Sequence, residues 1–256
     1  FGWLQRERRR LFALALQGGT IGILLLTIFA AFKRYGLIDP GPAFVMSIVL
    51  IAGIGVLAVV QNSRTLAVLG ILAGFMAPIW LSTGSGNHVA LFSYYAVLNA
   101  AILAIAWWRP WRVLNLLGFA FTFGIGTFWG VLQYNADKFA STEPFLLLFF
   151  AFYLVIPILY ARRQPAEKRD LVDGSLVFGT PLIAFSLQAG MLHDDRLLLA
   201  LCALALAALY AGLAWALIRR TRYAALGQSH AVLAVGFATL AVPLALSARA
   251  TASVFA

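Results

Sequence analysis

Charge is what this chain has least of. Only 11% of its 256 residues are Asp, Glu, Lys or Arg, and they cluster between long uncharged runs, while 62% are apolar. A water-soluble domain of this size needs charged outer faces on its helices, so runs that are apolar all round exclude that class. Transmembrane β-strands alternate polar and apolar over about ten residues, and no such alternation occurs here. The remaining fold class is all-α, a polytopic transmembrane helical bundle read as a single domain over residues 1–256.

Cysteine is nearly absent. Cys202 stands alone, which excludes an intrachain disulfide and any site of clustered cysteines. The three histidines, His88, His193 and His230, show no clean ligand spacing, so no metal and no cofactor is expected. His230, beside Gln228 and Ser229, is expected to make an interfacial hydrogen bond. The formal net charge of +10 would suggest nucleic acid in a soluble domain. Here the basic residues flank apolar runs, so topology accounts for them and no nucleic-acid partner is expected. No signal peptide is visible, and the chain, from Phe1 to Ala256, reads as a piece of a longer protein.

Nine spans fit the apolar runs: Leu11–Phe32, Pro42–Val60, Leu66–Leu81, His88–Trp108, Trp111–Gln133, Pro144–Ala161, Leu171–Met191, Leu197–Ile218 and Ala224–Leu246. Threading them back and forth puts fourteen of the nineteen Lys and Arg residues on one side. By the positive-inside rule residue 1 is then cytoplasmic and residue 256 periplasmic or extracellular. Trp107, Trp108 and Trp111 bracket a tight inner turn and read as headgroup anchors.

The span interiors hold no Asp, Glu, Lys or Arg, the groups that coupled pumps keep near the midplane. Asp137 and Glu143 fall in a link before Pro144, where they read as solvated. That lowers the case for a driven transporter and leaves neutral groups such as Gln17, Asn99, Asn115, Thr122 and Gln188 for interhelical hydrogen bonds or for a neutral ligand.

What the chain does have is a distinctive third span. Leu66–Leu81 carries Gly70 and Gly74 at GxxxG spacing, takes Pro78, and runs into the uncharged stretch Ser82–Asn87. Its 16 residues would rise about 24 Å, short of the roughly 30 Å of a bilayer core. Irregular backbone at that depth is tolerated only where protein or a wet cavity satisfies it. Pro78, Pro181 and Pro243 are each expected to interrupt an outward-running helix and to free a carbonyl one turn earlier. Candidate ligand-binding residues are therefore Gly74, Pro78, Ser82, Thr83, Ser85, Asn87, His88, Asn99, Pro181, Gln188 and Pro243, with no catalytic residue. Glycine pairs at 18 and 22, 70 and 74, and 126 and 130, with an alanine seam through Ala200, Ala203, Ala207 and Ala211, read as helix-packing faces.

Four ordered blocks carry a resemblance: GFMAPIWLSTGSGNHVALFSYYAVLN, WRVLNLLGFAFTFGIGTFWG, FASTEPFLLLFFAFY and LVFGTPLIAFSLQA. Through them the chain resembles a large family of bacterial predicted multi-pass membrane proteins catalogued only as a domain of unknown function. The resemblance implies an inner-membrane location and a longer parent protein, and it brings no catalytic residues. The leading reading is a non-enzymatic inner-membrane protein whose kinked helices form an outward-facing pocket for a lipid or small neutral ligand, or a docking surface for other envelope proteins. The alternative is an uncoupled transporter or flippase-like carrier using the same pocket.

Overall fold

In the computed structural model, residues 10–80, 87–108, 111–162, 171–192 and 195–254 are described, and among them the chain is helical with no strand. Nine α-helices follow in order: α1 (Arg10–Phe29), α2 (Pro40–Val60), α3 (Arg64–Trp80), α4 (His88–Trp108), α5 (Arg112–Gln133), α6 (Phe139–Ala161), α7 (Leu171–Met191), α8 (Arg196–Ile218) and α9 (Ala224–Val254). A π-helical turn, Ala30–Arg34, ends α1, and 3-10 turns at Ala136–Lys138 and Thr221–Tyr223 lead into α6 and α9. Among the described residues, eight helical segments are long and apolar enough to cross a membrane. The exception is α3, whose 17 residues rise about 25 Å.

Short polar residues start several helices by accepting an amide hydrogen that has no partner within the helix. Ser63 Oγ accepts from Leu66 N at 3.3 Å, Asn87 Oδ1 from Ala90 N at 3.0 Å, and Asp195 Oδ1 from Leu198 N at 2.9 Å. Pro40 opens α2, where its missing N–H costs nothing.

The chain divides into two compact units, Phe1–Ile105 with Val113–Thr122, and Ala106–Arg112 with Phe123–Ala256. In the first, α3 packs on α2 through its glycines. A β-carbon at Gly70 would sit 2.7 Å from Ile54 Cγ2, and one at Gly74 would meet Leu98 at 3.2 Å and Ile51 at 3.4 Å. Phe75, fully buried, stacks on Tyr95 and Phe121 with ring centroids 5.2 and 5.3 Å apart. In the second unit, α8 lies along α9. The alanine seam does face inward there: Ala200, Ala203 and Ala207 are buried, although Ala211 is exposed. At the α8–α9 turn, Gly227 lies so close to Ile218 that a β-carbon would come within 2.9 Å of its backbone nitrogen.

Several sequence expectations need correction. Helix α6 begins at Phe139, ahead of Pro144, because the 3-10 turn feeds straight into it; Pro144, its sixth residue, cannot donate to the carbonyl of Ala140 but does not stop the helix. Pro78, Pro181 and Pro243, expected to interrupt their helices, each lie inside a helical segment that runs on past them. A neighbouring helix can supply the missing donor, so the hydrogen-bond ladder breaks while the helix does not. Trp111 is buried, at 5% exposure, and is no headgroup anchor. Trp107 is exposed, with the Arg162 guanidinium 5.7 Å from its ring. No described atom lies within 4 Å of a β-carbon built at Gly22, Gly126 or Gly130, so these glycines are not closely packed as expected.

Candidate functional site

Of the expected site residues of the first unit, Gly74 and Pro78 meet on α3, and Asn99 joins them through Tyr95. Pro78 has no N–H to give to the carbonyl of Gly74, four residues earlier. The Tyr94 hydroxyl, on α4, donates to that carbonyl at 2.8 Å, and the Tyr95 hydroxyl donates to the next one, Phe75, at 3.0 Å. The lost helical bond is thus replaced from the adjacent helix. One turn further along α4, Asn99 is 1% exposed; its Nδ2 donates to Tyr95 O and to Thr122 Oγ1, both at 2.8 Å. Polar groups here are satisfied by protein, which makes this a braced packing site.

Asn87 is exposed and caps α4, and His88 begins that helix with its ring 6.3 Å from Phe92. Ser82, Thr83 and Ser85 lie outside the described residues, as does His193.

Gln188, Pro181 and Pro243 belong to the second unit. Gln188 is 7% exposed, in the last turn of α7, and its side chain hydrogen-bonds Glu143 on α6. Glu143 is half-buried, one carboxyl oxygen is buried without a hydrogen-bond partner, and the residue lies within the apolar segment Ala136–Ala161. The expectation of a solvated Glu143 is therefore corrected: the early start of α6 makes this acid part of the helix, with one carboxyl oxygen buried. Asp137, in the preceding turn, is exposed as expected. Around Glu143 stand the adjacent Thr142, with a buried hydroxyl lacking a partner, and Cys202 on α8, within electrostatic reach of the carboxyl. Tyr134 follows α5 and donates to Met191 O at 3.3 Å. Its hydroxyl is pushed above the usual phenol range, first by burial and then by the negative charge of Glu143.

His230, on α9, is 2% exposed. Its Nδ1 lies 2.7 Å from Leu226 O, a bond inside α9. Sequence reasoning missed Glu143 because Ser141-Thr142-Glu143-Pro144 reads as a link, and missed Tyr210 and Thr180 because neither type stands out in an apolar run. Among the described residues no three His, Cys, Asp or Glu side chains group as metal ligands.

Nine consecutive helices, with a carboxylate–amide pair and buried tyrosines drawn between apolar segments, define a multi-pass α-helical membrane protein. The chain belongs to the family described as Predicted membrane protein (DUF2339), whose model matches residues 1–256. No curated protein and no solved structure matches it.

Proposed function

We propose that this is a non-enzymatic protein of the bacterial inner membrane that binds a lipid or a small neutral ligand rich in hydrogen-bond donors. The binding place is the end of α6, α7 and α8 where Glu143 and Gln188 meet, which the distribution of Lys and Arg orients away from the cytoplasm. One observation carries this reading. A carboxyl group inside an apolar span is costly and is kept where it has work, and Glu143 holds one oxygen buried with no protein donor. A ligand hydroxyl or amide would complete it. By contrast, the freed carbonyl at Gly74 already has its donor, which leaves α3 and α4 as a support and not as the binding place.

The same carboxyl favours a second reading, a carrier, because intramembrane acids recur in transport paths. The two readings separate on a Glu143→Gln variant, which keeps side-chain size and removes the charge. Native mass spectrometry of protein extracted in mild detergent is expected to show bound adducts that the variant loses at unchanged thermal stability. Identical adducts on both would sink the binding site. In proteoliposomes, the lipid or solute recovered from those adducts should move across the membrane faster with the native protein than with Glu143→Gln for a carrier, and at the same rate with both for a binding protein.

A further inference from the structure

In the second unit, a proline defect and three buried polar side chains meet at one cavity. Pro181 on α7 removes a backbone donor, and the carbonyl four residues earlier belongs to Val177. Val177 lines a small cavity, with room for about one water molecule, that Thr180, Tyr210 and His230 also line. Thr180 and Tyr210 are each 1% exposed, and neither hydroxyl has a hydrogen-bond partner. The ring of His230 lies 5.4 Å from that of Tyr210. Since a carbonyl only accepts, the 2.7 Å contact between Nδ1 and Leu226 O places the ring proton on Nδ1, and on the neutral ring Nε2 keeps its lone pair.

The cavity thus gathers two hydroxyls, an imidazole acceptor and the carbonyl at a break in the helical ladder. Leaving such groups dry costs on the order of 1–3 kcal/mol each. Ligand pockets for larger molecules run from about 300 Å3 upward, whereas the space here admits the centre of about one water molecule. Only a guest that both donates and accepts serves all these groups. We propose that the cavity is a water-binding site in which one water accepts from Tyr210 or Thr180 and donates to His230 Nε2 and the Val177 carbonyl, tying α7, α8 and α9 together. The site shares no residue with the Glu143–Gln188 pair, so either can fail without the other.

Radiolytic hydroxyl labelling of the protein in nanodiscs tests it, because internal waters are activated in place and oxidise the side chains beside them. Tyr95 is the control: it is equally buried, at 1% exposure, but its hydroxyl is bonded to Phe75 O. Oxidation of Tyr210 several-fold faster than of Tyr95 is the expected result, and equal or slower oxidation overturns the proposal. The sign of a stability change gives a second reading that does not depend on labelling. Tyr210→Phe lowers the melting temperature if its hydroxyl binds water; if that hydroxyl is dry and unpaired, its removal leaves the melting temperature unchanged or raises it, and the water site is wrong.

Discussion

The Tyr94 hydroxyl donates at 2.8 Å to the carbonyl of Gly74, the same carbonyl that Pro78 leaves without its helical donor. The proline and the tyrosine are therefore two halves of one device, in which α4 completes the ladder of α3. Tyr94→Phe is expected to cost about 1–3 kcal/mol, since it strands a buried acceptor. In a Pro78→Ala background, which returns the backbone N–H, the same change should cost much less. Unfolding of the four proteins in detergent measures the coupling; additive effects would show that the two residues act separately.

A close helix contact sets the second prediction. A β-carbon at Gly70 would lie 2.7 Å from Ile54 Cγ2, whereas none of the described atoms approaches one at Gly126. Gly70→Ala should destabilise by about 1–3 kcal/mol through overpacking, with partial rescue by Ile54→Ala. Gly126→Ala should be tolerated. Comparable melting temperatures for the two alanine variants would refute the α2–α3 contact.

Asn99 and Thr122 exchange hydrogen bonds at 2.8 and 3.2 Å in a buried setting. Hydrogen bonds between membrane helices contribute roughly 0.6–2 kcal/mol. Thr122→Val is expected to destabilise within that range, and Asn99→Ala somewhat more because its bond to Tyr95 O is lost as well. Denaturation of both variants and of the double variant would detect the pairing as a non-additive term.

Much of this fold is legible in the residues themselves. Nine uncharged runs become nine helices among the described residues, since hydropathy alone decides where backbone must be helical in lipid. The shortness of α3 and the carbonyl freed by Pro78 were equally readable. What filled that carbonyl was not, because a tyrosine's partner depends on which helices become neighbours. Glu143 was misplaced for a related reason. Ser141, Thr142 and Pro144 around it carry turn chemistry, and only packing against Gln188 shows that the segment is helix drawn into the bundle. The glycines at 126 and 130 show the converse, since spacing says which residues could form a face and not whether another helix lies against it.

The proposed orientation, with residue 1 cytoplasmic, rests on the distribution of Lys and Arg and is open to direct test. In a Cys202→Ser background, Ser85→Cys should be labelled by an impermeant maleimide added to intact spheroplasts. Labelling only after the membrane is opened would invert the topology.

The most direct measurement concerns the acid inside the apolar segment Ala136–Ala161. Membranes containing the protein would be treated with a lipid-soluble carbodiimide or with a water-soluble one, and the modified peptide identified by mass spectrometry. Glu143 should be modified by the lipid-soluble reagent and spared by the water-soluble one, while the exposed Asp137 reacts with the latter. Equal modification of Glu143 and Asp137 by the water-soluble reagent would contradict a membrane-embedded carboxyl and, with it, the binding site built on Glu143 and Gln188.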